Sequence, residues 1–588
     1  MKRIKYLPFV LKDVHTHGKG FFWLFIIKTI LNSGRIYVSA FLGREMFNEL
    51  LIGITSQQIT SKLLSLVFGI VLFDILFALI NSAIDYYSEI SATKYSNHFT
   101  IKNSQKCSCL KFEYHDNPTQ KDNVKQFLSD SGSIINSFCQ VVTLIVTVVS
   151  FVTSLFISLR FSVLITCFSL LVAFPSFFIR KKNKNADYQL EKQLNLTDRI
   201  IDYFKNVCTG RAFYQEIHVL GAISFFTDRL KYYLEVRTEE RIRYRKAKLV
   251  RELFLILIYA AVNIIINLCV IVFIIIKNLT IGDYSYYTSI INNLKNNSNS
   301  LVSSFNELYI SLKKVENYYS FYNSKENEYS YGTKPMPSVI EKITFSHVYF
   351  KYPQSHEYVL NDVSFEVSQS EKIALAGVNG AGKTTIISLL LRFYDPTKGE
   401  ILINDCNIKY YRLDEYRNHF SCMFQQSNLY NISLRDNLLL GVQDTNVKIN
   451  DNALVAFLSS LGIKLTIEDL SMQVSKQFDE RGMIFSPGQA QKLNVVRTLL
   501  NDKHIVVFDE PSSSMDSITE DLIMETAFSF ANNKMLFFIS HRLSNMKKVD
   551  KIVFLEKGRI VEQGNHSELM QKQSAYYNFF IKQANKYS

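Results

Sequence analysis

The sequence has little charge and no spacing typical of a disulfide or zinc framework. Charged residues make up 20% of its 588 residues, whereas hydrophobic residues make up 47%. Of the eight cysteines only Cys107 and Cys109 lie close together, which excludes a zinc site or a small disulfide-stapled domain. No cleaved signal peptide is indicated, because further apolar runs follow the first one. We therefore expect reduced, mostly structural cysteines in a chain that joins an apolar half to a soluble half.

A net charge of +13 is compatible with binding to nucleic acid. The densest basic stretch, residues 180–251, lies between apolar runs. Cytoplasmic loops of membrane proteins carry their Lys and Arg in such places. We therefore expect a lipid bilayer as the partner and no nucleic acid. The abundance of Lys, Asn and Ile favours a bacterial source, which would place the chain in the cytoplasmic membrane.

The apolar runs predict an α-helical bundle of six transmembrane helices. Basic residues precede the first run and the segment after it is not strongly basic, so the N-terminus is expected in the cytoplasm. The runs are long enough to cross about 30 Å of hydrocarbon as helices. The predicted spans are about Phe21–Leu42, Leu63–Tyr87, Ile134–Phe156, Phe161–Ile179, Leu253–Ile276 and Tyr284–Ile310.

The sixth predicted span is rich in asparagine, and a polar loop is the competing interpretation. A cytoplasmic soluble domain needs an even number of spans after a cytoplasmic N-terminus, which favours a helix. Polar residues are tolerated at membrane depth where they face a bundle interior or a water-filled cavity. The candidate cavity-lining residues are Tyr286, Tyr287, Asn292, Asn293 and Asn296.

A polar segment that contains Gly332 and two prolines marks a change of composition after the sixth span. Residues 323–339, which include Pro335 and Pro337, are typical of a linker. We expect residues 1–322 to form a transmembrane domain with long cytoplasmic helical extensions. Residues 340–588 are expected to form a separate soluble domain.

A glycine-rich loop in the soluble domain predicts a phosphate-binding site. It follows an apolar run typical of a strand and precedes one typical of a helix, which makes an ordinary glycine turn improbable. In such a loop successive N–H groups point at one anion, and the helix start adds its dipole. Lys383 is expected to reach the β- and γ-phosphates and Thr384 to hold Mg²⁺. The loop residues expected to bind ATP are Gly377, Asn379, Gly380, Ala381, Gly382, Lys383, Thr384 and Thr385.

Two further features favour nucleotide chemistry. Four apolar residues end in Asp509-Glu510, where a nucleotide-binding fold places its metal and water chemistry. We expect Asp509 to hold Mg²⁺ and Glu510 to polarise the attacking water. Tyr352, upstream of the loop, is a candidate to stack on adenine, although a tyrosine in a turn more often packs within the protein.

With these residues the chain resembles an ABC exporter half-transporter, a six-helix membrane domain followed by an α/β P-loop NTPase domain of ABC ATPase type. The resemblance implies catalytic roles for Glu510, His541 and Gln425, with Gln425 also on the metal. It implies contacts with ATP from Ser486, Gly488, Gln489 and Asp516. The segments similar to family motifs are Phe424-Gln425-Gln426, Asp479–Gly482, Phe485–Gln489, Ser513–Asp516, Ile539–Leu543 and Gly558–His566.

The resemblance also implies a dimer, with each ATP held between the glycine loop of one domain and the signature segment of the other. Segments around Asn117–Gln126 and Gln215–Phe226 would then couple the domains. Pro487 departs from the family signature, where glycine is usual, and removes a backbone N–H near the phosphate. Proline suits the first turn of a helix, so we expect an intact helix and slower ATP turnover.

The predicted function is ATP-driven export by a homodimer or heterodimer. The expected cargo is a peptide or an amphiphilic small molecule. A lipid or drug flippase is the alternative, as is an ATP-gated regulator that transports nothing. The first span begins near residue 21, so no N-terminal peptidase domain is expected and a leader-cleaving exporter is disfavoured. A soluble ABC protein is disfavoured by the apolar spans.

Overall fold

The computed structural model describes residues 2–171, 173–329, 332–353, 355–425, 428–442, 449–511, 517–540 and 543–584. These residues form two compact units. The first comprises Met1–Ser108 and Asp122–Ser324, and the second comprises Cys109–Lys121 and Lys325–Ser588. The sequence did not predict that the short segment Cys109–Lys121 groups with the second unit.

The first unit is built from long helices, because its apolar runs continue without a break into polar stretches that also favour helix. The longest, of 54 residues, joins a basic half to the predicted fifth span. The helices up to residue 324 are α1 Leu7–His17, α2 Lys19–Ser56, α3 Ser61–Ser108, α4 Glu113–Asp116, α5 Pro118–Asp130, α6 Ser133–Phe161, α7 Val163–Leu171, α8 Ala173–Thr209, α9 Arg211–Val219, α10 Ile223–Ile276 and α11 Ile281–Asn323. Of these, α4 and the start of α5 belong to the second unit.

Five segments of the described residues are long and apolar enough to cross a membrane. They are Lys19–Ser56, Ser61–Ser108, Thr119–Phe161, Val163–Asp187 and Ile223–Ile276. The predicted sixth span is helical, since it lies inside the 43-residue helix α11, and the polar-loop interpretation is wrong. Hydropathy does not find this helix, because buried amides and hydroxyls take the places of aliphatic side chains on it.

Helix α11 begins at a capping box. The side chain of Thr280 accepts a hydrogen bond from the N–H of Asp283, and Asp283 accepts one from the N–H of Thr280. Asp283 also accepts a 2.7 Å bond from Nε of Arg44 on α2. The buried side chains along α11 include Ile290, Leu294 and Val315, which join this helix to the core of the first unit.

The second unit is an α/β domain with two sheets. One is antiparallel with the strand order β2-β1-β4-β5, and the other has six strands in the order β10-β9-β3-β8-β7-β6. The strands are β1 Lys342–Phe350, β2 Leu360–Ser368, β3 Lys372–Gly377, β4 Lys398–Ile403, β5 Cys406–Asn407, β6 Phe420–Met423, β7 Ile505–Asp509, β8 Met535–Ile539, β9 Lys551–Glu556 and β10 Arg559–Gly564.

Shorter helices connect and cover these strands. They are α12 Lys383–Leu390, α13 Leu413–Arg417, α14 Leu434–Leu439, α15 Asp451–Ser460, α16 Ile467–Ser471, α17 Pro487–Leu500, α18 Ser517–Phe530, α19 Leu543–Met546, α20 His566–Gln571 and α21 Ala575–Ala584.

The six-stranded sheet positions the functional residues. Its strands β9, β3, β8, β7 and β6 are mutually parallel, and β8 lies between β3 and β7. The glycine loop follows the carboxyl end of β3, and Asp509 ends β7. Parallel strands present their carboxyl ends at one edge of a sheet, so the two motifs meet there. Strands β7 and β8 are buried along their full length, which explains their unbroken apolar sequence.

Candidate active site

The glycine loop forms a tight cradle between β3 and α12. Gly377, Gly380 and Gly382 have φ angles of +144°, +79° and +100°, a region that favours glycine. A Cβ at Gly382 would lie 2.5 Å from Cδ2 of Leu360, and one at Gly377 would lie 2.2 Å from the carbonyl oxygen of Leu555. At Gly380 a Cβ would meet nothing within 4 Å. The outer glycines are therefore required by packing, while the middle one faces open space that suits a phosphate.

Lys383 points back into this cradle. Its ammonium donates hydrogen bonds to the carbonyl oxygens of Gly377 at 2.9 Å and Val378 at 3.1 Å. The residue is only 7% exposed. Burial lowers the pKa of Lys383, and the carboxylates of Glu510 and Asp509 oppose that shift. A phosphate group fits this arrangement, since its negative charge would stabilise the buried ammonium further.

The remaining loop residues take up distinct positions. Thr384 is exposed at the start of α12, whereas Thr385 is buried beneath it. Asn379 is exposed on the loop, and Ala381 is buried against the core between the two sheets. An exposed hydroxyl at this helix start suits a metal ligand, and the buried one serves the protein interior.

The acidic pair lies at the end of β7. Asp509 is 2% exposed, and Glu510 follows it with a φ of +51°, an uncommon conformation for a glutamate. Glu510 is held by its own N–H, which bonds the carbonyl oxygen of Ile539 at 3.0 Å. Its Oε2 accepts a 2.8 Å hydrogen bond from Nε2 of Gln425. The structure therefore brings Gln425 and Glu510, which are 85 positions apart, into direct contact.

Tyr352 lies beside the loop and packs within the domain. Its ring meets the rings of Phe350 at 5.0 Å and Tyr394 at 5.4 Å, both nearly edge to face. Its hydroxyl is 3.1 Å from Oγ1 of Thr385. The ring of Tyr352 is therefore packed within the domain and its hydroxyl touches the glycine loop, while stacking on adenine stays a prediction.

Sequence reasoning missed the residues behind Tyr352. The hydroxyl of Tyr394 donates a 3.2 Å bond to Asp116, and the ring of Phe112 stacks on Phe393 at 5.3 Å and meets Tyr394 at 5.7 Å. Phe112 and Asp116 belong to the short segment Cys109–Lys121. Burial and the Asp116 carboxylate raise the pKa of Tyr394, so it stays a neutral donor. No local sequence pattern predicts these contacts, because the partners are far apart in the sequence.

The signature segment opens helix α17. Ser486 is its N-cap: its hydroxyl accepts from the N–H of Gln489 at 3.2 Å, and the Gln489 amide oxygen accepts from the N–H of Ser486 at 3.0 Å. Pro487 occupies the first turn, as predicted. Ser486 and Gln489 are exposed and Gly488 is half-buried. The helix start is thus accessible and presents N–H donors, to which Pro487 adds none because proline has no N–H.

Two predicted site residues, His541 and Asp516, lie outside the described residues. The strand that leads to His541 is described, and it ends at Ile539 beside Asp509.

The first unit contains a polar cavity of about 660 Å³ between α2 and α11. Asn292, Asn293 and Asn296 line it, together with Thr288 and serines of the same helix. The other two candidates lie elsewhere. Tyr287 stacks on Phe161 at 3.9 Å, and Tyr286 lies 6.0 Å from the guanidinium of Arg44. The two tyrosines thus contact side chains of other helices, whereas the asparagines face the cavity.

Residues 360–513 match the ABC transporter family. The chain is 33% identical over 307 residues to the ATP-dependent lipid A-core flippase of Haemophilus ducreyi, and the match covers 52% of each chain. It is 25% identical over 579 residues to the subtilin transport ATP-binding protein of Bacillus subtilis, covering 96% of this chain and 92% of that one. The chain thus spans about half the length of the flippase and nearly all of the subtilin transport protein.

A solved structure, that of a bacterial Atm1-family ABC exporter with ATP bound, has the same fold. It is 20% identical, covers 95% of this chain and 97% of its own, and superimposes with a TM-score of 0.74. The shared fold includes the long helices as well as the α/β domain. The match to the ABC transporter family thus covers residues 360–513 of the α/β domain, and the chain as a whole has the fold of the ABC exporter structure, in which a helical domain precedes the ATP-binding domain.

Proposed function

We propose that this protein exports a peptide or an amphiphilic small molecule across the bacterial cytoplasmic membrane, driven by ATP hydrolysis. The observation that carries the proposal is the contact of Gln425 with Glu510, next to the buried ammonium of Lys383. A water-activating carboxylate and a phosphate-binding lysine are the two groups that a hydrolytic site of this type needs. Both lie on the same chain as the membrane-length helices.

The residues divide the chemistry among themselves. Lys383 and the loop N–H groups would bind the β- and γ-phosphates, and Tyr352 would meet the base. Thr384, Asp509 and Gln425 would hold Mg²⁺, which supplies charge neutralisation at the phosphates. Glu510 would orient and deprotonate the attacking water, and His541 would contact the γ-phosphate. Gln425 donates to Glu510 through its amide nitrogen, so its amide oxygen would be the atom that ligates the metal.

We infer that the active form is a dimer. The accessible start of α17 would bind an anion, and the resemblance assigns it to the ATP of a second copy. A second surface points the same way: Val219 and Leu220, at the end of α9, are 87% and 69% exposed.

The cavity between α2 and α11 supports a hydrogen-bonding cargo. Its α11 wall carries amides and hydroxyls and no charged side chain among the described lining residues. Such a wall suits peptide groups, which need both donors and acceptors when water is removed. The subtilin transport protein, similar along nearly its whole length, is named for a peptide. A lipid cargo is the second candidate, since the lipid A-core flippase is the more identical relative over its shorter match.

The proposal is tested with purified protein in lipid nanodiscs and in inverted vesicles. Wild type should hydrolyse Mg-ATP, while Glu510→Gln should bind ATP with unchanged affinity and hydrolyse it at least about a hundredfold more slowly. Glu556→Gln, at the exposed end of β9, is the matched control and should behave as wild type. Equal hydrolysis by wild type and Glu510→Gln would overturn the assignment of Glu510.

Transport itself needs a second measurement. Labelled peptides should accumulate in inverted vesicles against a gradient with ATP and not with a non-hydrolysable analogue. Transbilayer movement of labelled lipid without peptide accumulation would favour the flippase candidate. ATP-dependent equilibration without accumulation would contradict export and favour a gated channel.

A further inference from the structure

Three polar pairs connect α2 and α3 within their apolar stretches. Nη2 of Arg35 donates a 2.8 Å bond to Oδ1 of Asp74, and Nδ2 of Asn81 donates a 3.3 Å bond to Oδ1 of Asn32. A third pair joins the ammonium of Lys28 to the carboxylate of Asp85. We call these residues the polar ladder: Lys28, Asn32 and Arg35 on α2, and Asp74, Asn81 and Asp85 on α3.

The ladder follows from helical periodicity. Positions 28, 32 and 35 are separated by four and three residues, which places them on one face of α2. Positions 74, 81 and 85 are separated by seven and four, which places them on one face of α3. The helices run antiparallel, so the pairs succeed one another along their contact. The sequence therefore specifies a continuous polar strip rather than isolated charges.

The strip lies at membrane depth and is open on one side. Asp74 is the only charged residue between Leu63 and Ile80, in the middle of the predicted second span. Arg35 is 45% exposed and Asp74 is 46% exposed, so their mutual contact does not cover them. A charged group against hydrocarbon is costly. Membrane proteins accordingly direct such groups towards the bundle interior or a water-filled space.

The strip adjoins the polar cavity. Ile36 and Phe47 of α2 line that cavity, and Ile36 directly follows Arg35. At 100° per residue, both project from α2 roughly 75–95° from the mean direction of the ladder residues. The ladder therefore lies on one side of α2, and the amide-rich wall of α11 faces a neighbouring side of α2. Together they would form one polar surface interrupted by two apolar side chains.

We propose that the polar ladder lines the water-filled path of the cargo, as its charged wall. It offers a cargo both cationic and anionic partners, in contrast to the neutral wall of α11. This selects for a cargo that carries ionisable groups, such as a peptide, over one recognised by acyl chains alone. The inference about cargo rests on the proposed export function, whereas the water-filled position of the ladder does not.

The test is water access, which requires neither cargo nor ATP hydrolysis. Asn81→Cys places a thiol in the ladder without leaving an unpaired charge, and Leu79→Cys places one at nearly the same depth on the other side of α3, where Leu79 is 63% exposed. Asn32→Cys and Ile30→Cys form a second matched pair on α2. In nanodiscs, a charged methanethiosulfonate reagent labels thiols in water, because it reacts with the thiolate. Unmodified protein gives the background from the native cysteines.

We expect both ladder cysteines to react with the charged reagent at least about tenfold faster than their matched controls. The controls should react with a lipid-soluble maleimide. If a ladder cysteine reacts only with the maleimide, the ladder faces lipid and the inference is overturned. If neither reagent labels it while Leu79→Cys takes the maleimide, protein covers the strip, which overturns the inference equally. Because the readout is chemical labelling, a failed transport assay leaves this result intact.

Discussion

The hydroxyl of Tyr394 donates a hydrogen bond of 3.2 Å to the carboxylate of Asp116, a residue 278 positions earlier in the chain. The ring of Tyr394 in turn meets the ring of Tyr352, and the hydroxyl of Tyr352 contacts Thr385 of the glycine loop. A continuous set of contacts therefore leads from the segment Cys109–Lys121 to the site proposed for ATP. Such a set is a candidate for coupling, and it needs a perturbation to establish it.

The first prediction concerns this contact. Tyr394→Ala removes both the hydrogen bond and the ring between Phe112 and Tyr352, and should release Cys109–Lys121 from the ATP-binding unit. We expect the free energy of local opening there to fall by about 1–2 kcal/mol, seen as roughly tenfold faster amide exchange in that segment. Tyr394→Phe keeps the ring and should lose about 1 kcal/mol or less.

The matched control is Tyr410→Ala, since Tyr410 is a tyrosine of the same unit that is 60% exposed. Its removal should leave amide exchange in Cys109–Lys121 unchanged. Unchanged exchange in Tyr394→Ala would show that other contacts hold the segment.

The second prediction concerns Lys383. Lys383→Met removes the buried ammonium that the loop carbonyls hold, so nucleotide phosphates lose their cationic partner. Wild type at an ATP concentration one hundred times the Kd should be stabilised by about 2.7 kcal/mol, and the variant should lose this stabilisation. Thermal unfolding with and without Mg-ATP measures the difference. Lys398→Met, at the exposed start of β4, should retain the full ATP effect; a full effect in Lys383→Met would contradict the assigned role.

Local sequence patterns were sufficient to predict the turns and strand ends of the ATP-binding half. The glycine loop, the run ending in Asp509 and the serine before Pro487 each specify a turn or a strand end by their own chemistry, and the structure places each where the pattern predicts. The long helices were also predictable, because apolar runs dominate them. The sixth helix required an argument from topology, since its buried side chains are largely polar.

What the sequence did not reveal depends on distant partners. Tyr286 and Tyr287 were expected in a cavity by their polarity, yet Phe161 and Arg44 engage them from other helices. The Gln425–Glu510 bond and the attachment of Phe112 to Phe393 likewise join residues from separate parts of the chain. Contacts of this kind depend on how elements pack, and no periodicity along a single segment encodes them.

The third prediction tests the dimer surface. Leu220→Asp places a charge on the exposed tip after α9, where the isolated chain should tolerate it within about 0.5 kcal/mol. If the tip packs against a second copy, the charge should abolish dimer formation and reduce ATP hydrolysis with it. Light scattering of the protein in detergent gives the mass. Val561→Asp, at another exposed apolar site, should leave the dimer intact. If the Leu220→Asp protein remains dimeric, the tip does not contribute to the interface.

The fourth prediction concerns the start of α17. Pro487 supplies no N–H at the first turn, while Ser486 and Gln489 keep the helix capped through each other. Pro487→Ala and Pro487→Gly both restore the N–H and keep the cap, so ATP hydrolysis should rise, by up to about tenfold if the new donor reaches a phosphate. Pro487→Gly should also lose about 0.5–1 kcal/mol of stability, because glycine frees the unfolded chain. Steady-state hydrolysis and thermal unfolding separate the two effects. A gain in the glycine variant alone would assign the change to flexibility, and no gain in either would show that the missing N–H does not limit turnover.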